Sequence, residues 1–205
     1  MSLPPLATVA DVQLLHGPFQ DEELDKVARL LDMASGAVRR YCRQTLSLVV
    51  DDEVALLSTG TAFLELAERP VLAVCEVEVM TPWAEGSWPA GHFTWDGAGQ
   101  LHRVDGLTWG HRYDLVVVTY THGFNPVPAD LSGLVAAKVA QTLAGNEANP
   151  GGLRSLQTGA MSETYSNAAG NVASLGAAAL TEDEREYLRA AGYRRTATSV
   201  AAGIR

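Results

Sequence analysis

Histidines, cysteines and paired carboxylates are the side chains through which this sequence could bind a metal, attack a carbonyl or move a proton. The histidines are His16, His92, His102, His111 and His122, and the cysteines are Cys42 and Cys75. Local ligand spacing is the usual mark of a zinc site. None is present: there is no H-x-x-x-H, no C-x-x-C and no histidine at metal spacing from either thiol. A three-histidine site assembled in space from His92, His102 and His111 is the one alternative that spacing leaves open. His122, immediately before Gly123, reads as a satisfied turn histidine and not as a general base. Cys42 and Cys75 read as reduced, buried small hydrophobes of a cytoplasmic protein.

The carboxylate pairs are Asp51-Asp52 and Glu76 with Glu78. In a strand, Glu76 and Glu78 point to one face while Val77 and Val79 point to the other, which is solvent-out, core-in alternation and not an acid/base pair. A G-x-x-x-x-G-K-[ST] cradle is missing, so Gly151-Gly152 is a hinge. A G-x-S-x-G nucleophile elbow is missing too. No catalytic residue, metal ligand or cofactor is therefore assigned, and the chain reads as a non-enzyme.

The elements that would position such residues begin with a short helix, Val9 to Leu15, capped by Thr8 and stopped by Gly17-Pro18. A longer helix follows. Asp21 is its candidate cap, acids crowd its first turn, and Arg39, Arg40 and Arg43 crowd its last, complementing the helix dipole. Leu24, Val27, Ala28, Leu31, Ala34, Val38 and Tyr41 form one apolar stripe. Its expected partner is the Leu131, Leu134, Val135, Val139, Leu143 face of a later helix. That helix starts at Pro128, with Asp130 in the first turn where the dipole favours negative charge.

Between the helices the period changes to two. Leu46–Val50, Ala62–Leu66, Val71–Met80, Gly91–Trp95, Gln100–Val104 and Asp114–Tyr120 read as strands. Asp96-Gly-Ala-Gly99 is a hairpin turn. The segment between Met80 and Gly91, with Trp83 and Trp88, reads either as a loop folded over the sheet edge or as a protruding loop that meets a neighbour. Beyond Asn146 the composition turns to Ala, Gly, Ser and Asn, too poor in apolar surface to repay its own ordering. Within it Leu156 to Tyr165 alternates weakly and fits a strand added to a sheet of its own or of a neighbour. Thr181 and Glu184 form a capping box for a short helix.

The chain has 205 residues and a formal net charge of −9. Such a balance disfavours a general nucleic-acid binder, which needs a basic footprint. It fits a solvated surface, and also the wall of a channel through which DNA slides without sticking. Neither a signal peptide nor an apolar run of about 20 residues is seen, so a soluble protein without a membrane partner is expected.

Several elements, in order, resemble the head-to-tail adaptor (connector) proteins of long-tailed bacteriophages. They are Phe63-Leu-Glu-Leu-x-Glu-Arg-Pro-Val71, the acidic-glycine hairpin turn, Tyr120-x-x-Gly-Phe124, and Val127-Pro-x-Asp-Leu131. The similarity spans most of residues 8–144. It implies an α+β fold: a helical bundle with a strand-rich insertion over residues 1–146, then a long C-terminal arm over 147–205 that carries a short helix. It also implies a structural virion protein of the neck, made in the host cytoplasm, whose copies form a ring, twelve to match the portal.

The resemblance assigns partners by residue. The arm, through Arg185, Arg189, Tyr193, Arg194, Arg195 and Arg205, would dock on the portal protein. Trp83, Trp88, Leu156 and Tyr165 would meet a ring neighbour or the next connector, a stopper or tail protein. Gly123, Phe124, Pro128 and Asp130 would be the structural corner. Genomic DNA would pass through the lumen without specific binding. The alternatives are a stopper or tail-terminator ring of the same neck, which usually lacks the long N-terminal helix pair, and a small hydrolase using loop histidines, which has little use for such an arm.

Overall fold

The computed structural model describes residues 3–80, 85–89, 92–148, 155–158, 161–164 and 177–195. The fold is α+β. Its described residues fall into two compact units, one drawn from Met1–Arg43 and Val127–Arg194, the other from Gln44–Pro126 with Arg195.

In the helical unit, α1 spans Val9–His16. The Thr8 hydroxyl accepts from Asp11 N–H at 3.2 Å and the Asp11 carboxylate accepts from Thr8 N–H at 2.7 Å, a reciprocal capping box. Gly17, at φ +107°, ends the helix. Helix α2 spans Asp21–Cys42. Its cap is Gln20 and not Asp21, because the carboxylate that reaches back is Glu23, which accepts from Gln20 N–H at 3.0 Å. Asp21 then opens the helix.

The buried stripe of α2 is Val27, Leu30, Leu31, Ala34, Ala37, Val38 and Cys42. Relative to the expected stripe it is rotated slightly: Ala28 is exposed, and Leu24 and Tyr41 are half-buried. Helix α3 spans Ala129–Ala148. Pro128 precedes it and does not open it; the Pro128 carbonyl accepts from Ser132 N–H at 3.0 Å and so occupies the cap position. Both α1 and α2 pack on α3, where Leu131, Val135, Val139 and Leu143 are buried and Leu134 half-buried. Each large side chain so buried contributes roughly 1.5–3 kcal/mol. Buried Ser35 on α2 is satisfied by Leu6 N–H at 2.9 Å, which ties down the N-terminal segment.

Strands β8 (Ser155–Thr158) and β9 (Met161–Thr164) pair with each other as an antiparallel hairpin, so the weak alternation expected as one added strand is a self-contained pair. Helix α4, Glu182–Ala190, is capped by Thr181 and Glu184 as the sequence indicates. Ala177, Leu180 and Leu188 are buried, so this segment is part of the helical core.

The second unit holds two antiparallel sheets. Strands β1 (Val49–Leu57), β7 (Leu115–His122), β3 (Val71–Met80) and β4 (Glu85–Pro89) lie in that order in one; β2 (Phe63–Glu65), β6 (Gln100–Arg103) and β5 (Phe93–Trp95) form the other. The inner faces share one core that includes Leu56, Leu64, Leu66, Val74, Val77, Val79, Phe93, Leu101, Trp109, Val116, Val118 and Tyr120.

Strand β1 replaces the expected Leu46–Val50. The alternation that marks a strand is broken at Asp51-Asp52, where the pairing with β7 shifts register between Val49 and Asp52 and Asp51 takes φ +51°. Strand β4 falls inside the stretch expected as a loop, pairing with β3 so that Trp88 stands opposite Val77. Trp83 lies outside the described residues. The expected hairpin turn is present: Gly99, at φ +90°, donates to the Asp96 carbonyl at 3.1 Å.

Cys75 is exposed and not buried, because a register shift between Val74 and Glu76 interrupts the alternation of β3. Its thiol donates to Asp51 Oδ1 at 3.3 Å, which raises its pKa. Cys42 is fully buried, and burial pushes its thiol up to about 11. An alkylating reagent should therefore modify one cysteine of the folded chain, Cys75, and the second only in denaturant, as intact-mass measurement would show; fast labelling of Cys42 would contradict this packing. Among the described residues no helix is long and apolar enough to cross a membrane.

Candidate functional site

Of the residues assigned to the C-terminal arm, Arg185, Arg189, Tyr193 and Arg194 belong to the helical unit. Tyr193 Oη donates to both carboxylate oxygens of Asp130, at 2.9 and 2.8 Å, and Tyr187 Oη donates to Asp130 Oδ2 at 2.9 Å. Asp130 therefore does more than complement the α3 dipole: it is the acceptor at which the last helix and the chain beyond it are fastened. Burial pushes the Asp130 carboxyl up, but the Tyr193 and Tyr187 hydroxyls and the backbone N–H groups of the first turn together leave it below the ordinary carboxylate value. Conversely, burial and then Asp130 push the Tyr193 phenol up.

The same segment grips the end of α2. Tyr41 Oη donates to the Arg185 carbonyl at 2.9 Å, and the Arg194 guanidinium lies 4.9 Å from the centroid of the Tyr41 ring. Arg185 pairs with Glu182 at 3.4 Å, a contact of the exposed kind that contributes little. Arg189 is exposed on α4, and Arg195 is half-buried.

Lys138 on α3, only 6 % exposed, donates to both oxygens of Glu184 at 3.0 and 2.8 Å. Glu184 thus caps its own helix and neutralises a buried ammonium on another. A cation in that environment is tolerable only when paired and hydrogen-bonded. The sequence shows the cap but not the ion pair; its signal is Lys138 standing as the one charged residue of residues 131–143.

At the corner of the strand unit, Gly123 takes φ +91°, and a Cβ there would stand 2.1 Å from the Ser47 carbonyl oxygen. Gly123 N–H donates to the Pro70 carbonyl at 2.9 Å, and Phe124 N–H to the Leu46 carbonyl at 3.3 Å. Three segments far apart in sequence are thus sewn together at one glycine. Next to it, His122 is 1 % exposed, with Nε2 3.1 Å from Asp52 Oδ2 and its ring 4.8 Å from that of Tyr120. It is the last residue of a strand and not part of a turn.

The remaining candidate ligands do not converge. His102 stacks on Phe63 at 4.4 Å and His16 on Phe19 at 5.1 Å, while His92 and His111 are exposed. Among the described residues no three of His, Cys, Asp and Glu are placed to hold a metal ion. Trp88 and Leu156 stand on β4 and β8, Leu156 opposite Glu163; Trp83, Tyr165 and Arg205 lie outside the described residues.

Sequence reasoning also missed a buried arginine. Arg103, 3 % exposed, donates through Nε to Asp105 Oδ1 at 2.9 Å, through Nη2 to Asp105 Oδ2, and through Nη1 to the Thr108 carbonyl at 2.8 Å. Its guanidinium lies 5.4 Å from the centroid of the buried Trp109 ring. The Arg103 hydrogen bonds hold the Asp105 carboxyl at about 2. A depressed folded pKa means that the clamp contributes in full above the unfolded value of about 3.9 and loses that contribution as pH falls through the folded one. A carboxyl-carbon NMR titration should place the Asp105 midpoint near 2; an ordinary midpoint would mean that the clamp is open in solution.

No protein-family model matches the sequence, and no curated protein does. Among solved structures the chain is similar to one from the neck of an empty GTA particle, computed with C6 symmetry: 19 % identity, TM-score 0.46, covering 78 % of this chain and 86 % of that one. It is also similar to one from the neck of a native GTA particle, computed with C12 symmetry: 18 % identity, TM-score 0.41, covering 78 % and 88 %.

Proposed function

We propose that this chain is a structural neck protein, a head-to-tail adaptor of which twelve copies close into a ring beneath a phage portal. One observation carries the reading. The chain interrupts a helical unit between α2 and α3 with a strand unit whose last strand ends in Tyr120-x-x-Gly-Phe, re-enters at Val127-Pro-x-Asp-Leu, and then fastens its C-terminal segment back on Asp130. That order of elements is the one on which the adaptor resemblance rests. The helix pair α1–α2 favours an adaptor over a stopper or a tail terminator.

The work of such a protein is geometric. A heterologous contact repeated around an axis closes into a ring, and the ring presents one face to the portal and the other to the next connector or the tail. Tyr193 and Arg194, being engaged by Asp130 and Tyr41, serve as the root of the arm, and the chain from Arg195 to Arg205 reaches the portal. The net charge of −9 suits a lumen through which DNA slides.

The test is co-sedimentation with purified phage portal rings, using the full chain and a chain ending at Arg195, which keeps every contact described above. The full chain should sediment with the portal in fixed proportion and the shortened chain should be lost from it. A full chain that never sediments with a portal contradicts the reading.

A further inference from the structure

The helical unit carries unlike charge at the two ends of α2. Residues 21–32 hold Asp21, Glu22, Glu23, Asp25 and Asp32 against Lys26 and Arg29, whereas residues 33–43 hold Arg39, Arg40 and Arg43 and no acid. Asp21, Glu22, Asp25, Arg40 and Arg43 are all exposed. At about 1.5 Å per residue, the 22 residues of the helix separate the two ends by about 33 Å.

Each end has a second feature. At the acidic end, α1 leaves Leu14 85 % and Leu15 59 % exposed, just before the link to α2, which the His16–Phe19 stack folds back on itself. At the basic end, α4 is fastened to Tyr41 and brings Arg194 over its ring, adding a cation to Arg40 and Arg43. Of the acids of α4, Glu184 is committed to Lys138 and Glu182 pairs with Arg185, while Asp183 and Glu186 are exposed.

We infer that successive copies of this chain meet through these two ends, the acidic, leucine-bearing end of one copy seated on the arginine end of the next. Leu14 and Leu15 lie along the aliphatic stems of Arg40 and Arg43, and the carboxylates of Asp21, Glu22 and Asp25 face the guanidinium groups. The charges specify the pairing. Two acidic ends, or two basic ends, repel, so a two-fold dimer is disfavoured and the contact is heterologous, the kind that generates a ring when its rotation closes. The inference rests on the ring reading and names its interface.

The experiment is native mass spectrometry of the full chain and two charge-reversed forms. One carries Asp21→Lys, Glu22→Lys and Asp25→Lys; the other carries Arg40→Glu and Arg43→Glu. Thermal melts check that each is folded, and Leu14→Ser with Leu15→Ser, at exposed positions, is a third form that leaves both charged ends of α2 unchanged. The wild-type chain should give rings; each altered form alone should lose at least about tenfold in ring population; and an equimolar mixture of the two charge-reversed forms should recover rings of even copy number with the forms in equal share. Rings from either charge-reversed form at the wild-type level, or no recovery on mixing two folded forms, overturn the interface while leaving the ring reading intact. A wild-type chain that stays monomeric at every concentration overturns both.

Discussion

Replacing Gly123 by alanine is expected to be the most damaging glycine-to-alanine change among the described residues, costing about 4 kcal/mol or more. Two effects act together. The residue sits at φ +91°, where a side chain is strained whatever the space. In addition, the new Cβ would stand 2.1 Å from the Ser47 carbonyl oxygen, a backbone atom that cannot swing away. Relief requires separating the segments joined by Gly123 N–H to Pro70 and Phe124 N–H to Leu46, so the corner itself must open. The control is Gly133→Ala on the exposed side of α3, where an added Cβ meets nothing within 4 Å. That change should stabilise the helix by roughly 0.5–1 kcal/mol. Urea unfolding of the two variants should move the midpoint in opposite directions; equal midpoints would mean that the corner is not closed as described.

Glu184→Ala is expected to cost nearly as much, for a different reason. Losing the partner of a buried Lys138 leaves an uncompensated ammonium, which costs about 3–5 kcal/mol, and the capping box with Thr181 loses its acceptor for Thr181 N–H, about 1 kcal/mol more. Lys138→Met alone should be much milder, since it removes the buried charge and leaves Glu184, 19 % exposed, to solvent and its cap. The double change should therefore be less harmful than Glu184→Ala alone, a coupling that a double-mutant cycle reads directly. Additive costs would show that the ion pair does not hold α4 to α3.

What the sequence revealed and what it hid follow the distance over which each interaction acts. The Thr8 cap and the Thr181–Glu184 box are written within four residues, so both are legible; the return bond from Asp11 to Thr8 is seen only in the structure. The long apolar run of β3 and the Asp96–Gly99 turn are legible for the same reason. Strand β1 is not legible because three consecutive acids, Asp51 to Glu53, mask its alternation and only the pairing with β7 reveals the bulge that accommodates them. The exposure of Cys75 is not legible because simple alternation does not foresee the register shift beside it. Asp130 and Tyr193 each stand out in the sequence, one for the helix dipole and one as an arm residue, yet their hydrogen bonds join positions 63 apart and nothing local announces them. Lys138 and Glu184, 46 apart, were hidden in the same way.

The proposed assembly is a closed ring of copies of this chain, coaxial with a portal. Single-particle imaging of the full chain bound to phage portal rings is the deciding measurement. One continuous ring of twelve copies on the portal axis is expected; isolated copies bound off-axis, or a portal surface left bare, would contradict it.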